Sequence, residues 1–319
     1  MDFSFKTIGE FNDHFNTEAK CYEYLELKWW GGVPRCPHCG NEKYYSVKSR
    51  TKFDVPTYRC SVRSCGIPYT VKTGSIFEGT KVELRKWFQA MYELVTSKKG
   101  ISSVELSTRI GVSQKCAWFM NHRIREMLGV QYSDDEPMGE GGQVVEIDET
   151  YIGGKMANMT KSKRKAHKEG KTHSQMNKTT VMGYVVRSGE LRLKKIKGRE
   201  EVTSSMLDNV SKDAVIITDT ASYYRGLQNI FPNHEMVDHS KEEYVREGVI
   251  HTNTIEGAFS ILDRAIMGVF HFVSAKHLQK YCDEITLKYN GRTVSNSERF
   301  MQVVEGANVK RITYRELTK

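Results

Sequence analysis

Apolar residues recur at helical spacing between residues 84 and 130, which predicts three helices. The first carries a stripe of Leu84, Trp87, Phe88, Met91 and Leu94 and ends at the breaker SKKGIS. The segment SSVELSTRIGVSQKCAWFMNHRIREML then predicts two helices with Gly-Val-Ser between them, and Ser113 is suited to cap the second. Two amphipathic helices joined by a short turn are typical of a helix-turn-helix, whose second helix enters the major groove of DNA.

The second helix of this pair would present polar side chains to DNA. The groove-facing candidates are Gln114, Lys115, Asn121, His122 and Arg125. A plain helical hairpin is the alternative interpretation of the same pattern.

From residue 143 onward the pattern alternates between β-branched strands and helices. Strands are predicted in QVVEIDETYIGG, in TTVMGYVVRSGELRLKKIKG (two, turning at Ser188-Gly189), in AVIITD and in EMVDHS. Helices are predicted in REEVTSSMLDNV and TASYYRGLQNIF, and a last one follows EMVDHS. The predicted order is three strands, a helix, a strand, a helix, a strand and a helix. This is the order of the ribonuclease-H-like fold, a mixed five-stranded sheet with helices.

The last helix of this series, within HTNTIEGAFSILDRAI, has a regular apolar stripe. Ile255, Phe259, Leu262 and Ile266 fall at i, i+4, i+7 and i+11, the spacing of a buried helical face. Glu256 lies about 90° from the centre of that stripe, at the border between core and cleft. This position favours a ligand held by a packed helix over a fully solvated glutamate.

Length and composition fit a soluble protein of several domains. The chain has 319 residues, 39% hydrophobic and 27% charged. No apolar run approaches the roughly 20 residues that span a bilayer, and the first residues lack the order of a signal peptide, so we expect a cytoplasmic protein. The acidic, glycine-containing segment 131–142 is predicted as a linker. The predicted organisation is multidomain α+β: an N-terminal helix and zinc ribbon (1–75), a helix-turn-helix (76–130) and an α/β catalytic domain (143–319).

The charge pattern favours a polyanionic partner. The formal net charge is +9, and a basic insertion at 155–179 has eight lysines and arginines against one acid. The insertion has no apolar periodicity, so we expect it to be mobile in the free protein. We interpret it as an arm for the DNA backbone, with Lys163, Arg164 and Lys165 as contacts. A solvated loop is the alternative.

Four of the seven cysteines have the spacing of a zinc site. Cys36 and Cys39 form C-x2-C, and Cys60 and Cys65 form C-x4-C after a gap of twenty residues. Each pair at a tight turn can supply two thiolates to a tetrahedral Zn²⁺ ion, with short strands between the pairs as in a zinc ribbon. Four buried cysteines without metal are the alternative. The other cysteines, Cys21, Cys116 and Cys282, are expected to be small core residues.

Three acids from separate predicted elements form a candidate metal site. Asp148 and Asp219 stand near strand ends, and Glu256 lies on the last helix. Carboxylates are the ligands of hard cations, and two Mg²⁺ (or Mn²⁺) ions about 3.5–4 Å apart can promote in-line attack on a phosphodiester. Taken alone, Asp219 has an ordinary alternative, since strand-end aspartates often cap the following segment.

Three motifs together resemble a known family. The motifs are EIDETYIGG, then TD followed by Tyr-Arg-Gly, then HTNTIEGAFSILDRAIMGVFHFVSAKHLQKYCDEITLKYNGR. They are similar to those of zinc-ribbon insertion-sequence transposases, the bacterial ISXO-like elements related to eukaryotic Merlin transposases. The resemblance implies a DDE-type ribonuclease-H-like domain that uses Mg²⁺ to cut and join transposon ends. It assigns the first two ligands to Asp148 and Asp219 and the third to Glu256, with Asn253 as the other candidate.

The chain departs from the family pattern at one position. A lysine is expected seven residues after the glutamate, but residue 263 is Asp. The departure indicates a weakened or decayed copy, an altered DNA contact, or relocation of the charge to Arg264 or Lys276. The leading hypothesis is a transposase that binds terminal inverted repeats and target DNA as a dimer or larger assembly, with no membrane partner and no small-molecule cofactor. The alternatives are a catalytically impaired or domesticated DNA-binding repressor, favoured by Asp263, and a stand-alone ribonuclease or resolvase.

Overall fold

The computed structural model describes residues 4–49, 53, 55–131, 136–153, 161–169, 178–187, 189–237 and 251–319, and at positions 163 and 166–168 it describes the backbone alone. Its contacts divide the chain into two compact units, Met1–Gln131 with Thr293–Lys319 and Tyr132–Arg292. Within these described ranges, no helix is both long enough and apolar enough to cross a membrane.

Helices and strands alternate along the chain much as the pattern predicts. The helices are α1 (Ile8–His14), α2 (Glu18–Trp30), α3 (Leu84–Thr96), α4 (Ser103–Ile110), α5 (Gln114–Gln131), α6 (Lys161–Lys168), α7 (Val202–Asn209), α8 (Asn253–Ala265), α9 (Leu278–Asn290), α10 (Asn296–Glu305) and α11 (Tyr314–Thr318). The strands are β1 (Tyr44–Ser46), β2 (Tyr58–Cys60), β3 (Pro68–Tyr69), β4 (Val144–Gly153), β5 (Lys178–Val186), β6 (Leu191–Ile196), β7 (Val215–Asp219) and β8 (His234–Val237).

The first unit is a helical core that includes the end of the chain. Phe300 on α10 makes edge contacts with Phe11 on α1 and Phe88 on α3, at ring-centroid distances of 5.2 and 5.6 Å. Val303 and Val304 of the same helix are fully buried. The residues from Thr293 onward therefore pack with the N-terminal unit, whereas the sequence pattern places them in the domain 143–319. The cause is the apolar face of α10, which covers an aromatic cluster far away in sequence.

A small antiparallel sheet carries the cysteine pairs. Its strand order is β1-β2-β3, with Tyr44 opposite Cys60 and Tyr58 opposite Tyr69. Tyr58, Tyr69 and two of the cysteines form a buried cluster against Trp30 of α2. The short strands predicted between the cysteine pairs are thus present.

Helices α4 and α5 are joined by a tight turn. Gly111 ends α4 in the left-handed region, with φ +62°, which favours glycine. The Ser113 hydroxyl accepts a hydrogen bond from the backbone N–H of Cys116 at 3.3 Å, so it caps α5 as predicted. Leu106, Ala117 and Ile124 are buried in the resulting pair.

The second unit is built on a five-stranded mixed sheet. The strand order is β6-β5-β4-β7-β8, with β4, β5 and β6 antiparallel and β4, β7 and β8 parallel. Strand β4 is central, and its even and odd residues face opposite sides. Ile152 packs with α8 and α9 on one side, and Val145 and Ile147 pack with α7 on the other. Both sides of the sheet are therefore covered, and polar residues inside β4 need specific partners.

Two segments differ from their predicted form. TASYYRGLQNIF is not an α-helix but two 3₁₀ turns, Ser222–Tyr224 and Leu227–Asn229, separated by Gly226 with φ +85°. The linker predicted at 131–142 is partly structured: Met138 is buried and forms a parallel bridge with Val210. In both segments the packing of buried side chains determines the structure, although the local sequence predicts a helix in the first and a linker in the second.

The outer edge of β6 is covered by amide side chains of α9. Asn290 accepts from the backbone N–H of Leu191 at 2.7 Å and donates to the Leu191 carbonyl at 3.1 Å. Gln279 likewise accepts from the N–H of Lys195 at 2.7 Å and donates to the Leu193 carbonyl at 2.9 Å. The two side chains thus replace part of a neighbouring strand.

Candidate carboxylate and zinc sites

Asp148 and Asp219 lie on adjacent parallel strands. The parallel ladder ends at Glu146 of β4 and Ile217 of β7, and the same register extended by two residues brings Asp148 level with Asp219. Asp219 is the last residue of β7, whereas Asp148 lies in the middle of β4 and not near its end as predicted. Both side chains are half-buried. Asp219 also accepts a hydrogen bond from the backbone N–H of Ala221 at 2.9 Å, the local capping role considered from the sequence. One carboxylate oxygen of Asp219 can therefore be orientated by the backbone without occupying the other.

The electrostatics of Asp148 reflect a concentration of negative charge. Burial, together with the charges of Glu149, Asp219 and Glu256, raises the pKa of Asp148 to about 7, although a backbone hydrogen bond from Glu149 opposes this. The three acids named from the sequence therefore influence one another through space. A divalent cation would relieve their repulsion, so the donor set suits a hard metal ion.

Glu149, next to Asp148 in sequence, belongs to the opposite side of the sheet. It accepts hydrogen bonds from Tyr224 at 2.9 Å and from Tyr151 at 3.4 Å. Burial raises the pKa of Glu149 above its ordinary value. The alternation of β4 thus separates Glu149 from Asp148 and from helix α8.

Helix α8 brings the third acid to the Asp148 side of the sheet. Ile255, Phe259 and Leu262 are buried, which confirms the predicted apolar stripe, while Asn253 and Glu256 are exposed. Thr252 donates a hydrogen bond to Glu256 at 3.3 Å. Among the described residues, however, the acids do not form a set with all ligand oxygens within 4.8 Å, as the cysteine quartet does with its sulfurs.

Two residues of the sheet outside the predicted metal-binding set shape this site. Gly183 pairs with Asp148 across β4 and β5, and a Cβ atom at Gly183 would lie 2.5 Å from Ile255 and 2.7 Å from Phe259. Glu146, fully buried, accepts hydrogen bonds from the first turn of α8. The sequence signals for these two residues were a glycine inside a predicted strand and an acid two residues before Asp148.

The positive charges expected near the acids are on the surface. Arg264 and Lys276 are exposed, and so is Asp263, the acid at the position where the resemblance leads us to expect a lysine. Arg164 and Lys165 are exposed on α6, while the Lys163 side chain lies outside the described residues. Within the basic insertion, residues Lys161–Lys168 form the helix α6, whereas the sequence pattern predicts no regular structure there. Residues 155–160 and 170–177 of the insertion lie outside the described residues.

The predicted groove contacts of α5 need a correction. Asn121, His122 and Arg125 are each at most 2% exposed, so they do not face outward in this conformation. The physical reason is that α5 is buried on nearly all sides between Ala117 and Leu128. Gln114 and Lys115, in its first turn, are exposed and remain candidates for DNA contacts.

The four cysteines meet the geometric demand of zinc. Their sulfur atoms all lie within 4.8 Å of one another, with Cys36–Cys65 at 3.7 Å and Cys39–Cys60 at 3.5 Å. A tetrahedral ion with Zn–S bonds of about 2.3 Å needs sulfurs about 3.8 Å apart. Burial acts to raise the pKa of Cys60, but the backbone N–H of Val62 and the neighbouring thiols lower it to about 7. The same sharing of hydrogen bonds between the thiols raises the pKa values of Cys39 and Cys65. The quartet fits one structural Zn²⁺ ion.

Comparisons with known proteins agree with the order of these sites. Residues 140–290 match the ISXO2-like transposase domain, and residues 16–67 match the transposase zinc-ribbon domain. A relative from Halobacterium salinarum, described as an uncharacterized protein in transposable element ISH50, is 28% identical over 78% of this chain and 83% of its own. The chain therefore matches a transposase zinc-ribbon domain and an ISXO2-like transposase domain in that order, which confirms the resemblance predicted from its motifs.

Solved structures give weaker similarities. A pre-cleavage Mos1 transpososome is 12% identical, with a TM-score of 0.26, over 71% of this chain and 80% of that chain. A Mos1 strand transfer complex is 11% identical, with a TM-score of 0.20, over 71% and 79%. TM-scores of this size do not establish a shared fold.

Proposed function

We propose that this protein is the DNA transposase of an insertion sequence, with Asp148, Asp219 and Glu256 as its metal-binding carboxylates. The observation that carries the proposal is the position of Asp148 and Asp219 at one level of adjacent parallel strands, with α8 packed on the Asp148 side. The sheet order and the mixed strand directions are those expected of a ribonuclease-H-like domain.

The residues divide the work of phosphoryl transfer between them. Asp148 and Asp219 would hold the metal ions from the two strands, and Glu256 or Asn253 would complete the ligand set from α8. When bound, two Mg²⁺ (or Mn²⁺) ions supply activation of a water or a 3′-hydroxyl and stabilisation of the leaving oxygen. The backbone N–H of Ala221 holds the Asp219 carboxylate in one orientation.

DNA recognition is assigned to the first unit. The zinc ribbon and the α4–α5 pair act together on the terminal inverted repeats, with the exposed first turn of α5, Gln114 and Lys115, toward the groove. The α4–α5 pair serves as a helix-turn-helix in this proposal. Arg164, Lys165, Arg264 and Lys276 are exposed cations suited to phosphate contacts in the second unit. Joining two transposon ends requires two active sites, so we propose a dimer or larger assembly on DNA.

The test combines binding with cleavage. Purified protein is incubated with DNA carrying the inverted repeats that flank the gene, and with scrambled DNA of equal length. We expect a specific gel shift and nicking at the repeat ends that requires Mg²⁺ or Mn²⁺. Asp219→Ala should retain the shift and lose nicking, while Glu235→Ala, an exposed acid on β8, should retain both. Unchanged nicking by Asp219→Ala would reject the site.

A DNA-binding repressor without nuclease activity is the second candidate, and Asp263 in place of the expected lysine favours it. It predicts the same specific shift with no nicking in either metal. Nicking by the wild-type protein would exclude it.

A further inference from the structure

Helix α8 lacks a cap of its own. Its N-cap residue, Thr252, makes no capping hydrogen bond, so the first backbone N–H groups need an acceptor from elsewhere. Glu146 of β4 provides it, more than a hundred residues earlier in the chain. One of its oxygens accepts from the backbone N–H of Thr254 at 2.9 Å and from that of Ile255 at 3.2 Å.

The second oxygen of Glu146 is also fully engaged. It accepts from the Thr254 hydroxyl at 2.9 Å and from Arg187 Nε at 2.8 Å, and His251 Nδ1 lies 3.3 Å away. Arg187 in turn donates to the His251 carbonyl at 3.1 Å. Glu146 and Arg187 therefore hold both the entry to α8 and its first turn. With the side chain fully buried and both oxygens paired, Glu146 is not free to bind a metal ion.

The position of Glu146 on β4 affects the neighbouring carboxylate site. Glu146 and Asp148 are two residues apart on one strand, so both project to the α8 side of the sheet. Asn253 and Glu256 flank the two N–H groups that Glu146 holds. One residue thus links the strand that carries Asp148 to the turn that carries the third ligand. The close contact of Gly183 with Ile255 fixes the same helix at a second point.

We propose that Glu146 is a positioning residue that sets the separation of Glu256 and Asn253 from Asp148, and thereby the affinity of the site for divalent cations. The inference rests on the proposed function, since it assigns these residues to one metal site. A charged acceptor suits the role because a helix N-terminus and a guanidinium both present positive charge to it. Glutamine has the same shape but would turn an amide donor toward these donors.

The experiment compares full-length wild-type protein with Glu146→Gln and with the control Tyr184→Phe. The control removes a buried hydrogen bond of 2.6 Å to Ser205 on the opposite side of the sheet. Three quantities are measured: Mn²⁺ affinity by the electron paramagnetic resonance signal of free Mn²⁺, amide exchange of the peptide at 251–260, and thermal unfolding. We expect Glu146→Gln to weaken Mn²⁺ binding roughly tenfold or more and to speed exchange in this peptide. Tyr184→Phe should lower thermal stability and leave both other quantities unchanged.

Thr254→Val provides a milder variant if Glu146→Gln does not fold. It removes only the hydroxyl donor to Glu146, and we expect a smaller loss of Mn²⁺ affinity in the same direction. Equal Mn²⁺ affinity in wild-type protein and the folded variants would overturn the inference, as would an equal loss in Tyr184→Phe. If wild-type protein and Asp219→Ala bind Mn²⁺ equally, the proposed function fails instead. If amide exchange of the peptide 251–260 is the same in Glu146→Gln and wild-type protein, the positioning role is rejected whatever the Mn²⁺ affinity.

Discussion

The cysteine quartet and the carboxylate trio are both ligand sets, but the chain assembles them in different ways. The cysteines come as two close pairs on one small sheet, and their sulfurs already stand 3.5–3.7 Å apart. The acids come from β4, β7 and α8, and burial together with the charges of Glu149, Asp219 and Glu256 raises the pKa of Asp148. Local spacing is sufficient to build the first set. The second depends on how a helix and two strands pack, so its geometry can be altered from outside the ligands.

The largest effect is expected from loss of a single thiolate. Cys60→Ser should abolish stoichiometric zinc and unfold the region of residues 36–69, because metal binding supplies the folding energy of such small sheets. Zinc content by atomic absorption and limited proteolysis would measure this. Cys116→Ser, a half-buried cysteine outside the quartet, is the control and should keep one zinc. Full zinc content in Cys60→Ser would contradict the assignment.

Removing one carboxylate charge should separate activity from stability. Asp148→Asn should lower nicking on the order of 10³-fold while raising the Tm of the zinc-loaded protein without Mg²⁺ or Mn²⁺. The raised pKa of Asp148 means that its ionised form destabilises the folded state. The stability contributed by its neutral form is complete below pH 4 and is lost as the pH rises through about 7.

The advantage of Asp148→Asn in buffer without Mg²⁺ or Mn²⁺ should therefore grow between pH 5 and pH 8, by roughly 2–4 °C for each kcal/mol of repulsion relieved. Differential scanning calorimetry of the zinc-loaded protein across this range measures it. Asp208→Asn, an exposed acid on α7, should have no such trend. A lower Tm for Asp148→Asn than for wild-type protein at pH 8 in this buffer would show that the repulsion is not significant.

A change that touches no ligand should disturb only the carboxylate set. Gly183→Ala places a methyl group within 2.5–2.8 Å of the Ile255 and Phe259 side chains, so these side chains or α8 itself must move away from β5. We expect a loss of about 1–3 kcal/mol in the free energy of unfolding and a drop in nicking on the order of 10-fold or more. Zinc content should stay at one per chain. Gly257→Ala, on the same helix but with open space around its Cβ position, is the matched control and should retain activity.

The smallest effect is expected at the position that departs from the family pattern. Asp263→Lys replaces an exposed acid with a cation, which should strengthen binding to DNA a few-fold at low salt. Ser260→Lys, exposed one turn earlier on α8, controls for charge alone. Gel-shift titrations at two salt concentrations distinguish the two variants. Equal gains in both would mean that position 263 has no special relation to the DNA.

The sequence predicts features that depend on near neighbours better than features that depend on distant contacts. The zinc pairs, the β4 and β7 aspartates and the apolar stripe of α8 are visible because each depends on neighbours within a few residues. Glu146 is not, because its partner Thr254 lies far along the chain and an acid in a strand resembles a further metal ligand. The burial of Asn121 and Arg125 was missed for a related reason. A polar residue on a helix is assumed to face solvent until its packing partners are known.

The amide side chains along β6 have a consequence for assembly. Exposed backbone groups on an edge strand allow a sheet to grow by addition of a strand from another molecule. Asn290 and Gln279 occupy the outward groups of Leu191, Leu193 and Lys195, so a second chain would have to displace them to pair there. If copies gather on DNA as proposed, these two side chains keep them from joining sheet to sheet along the β6 edge.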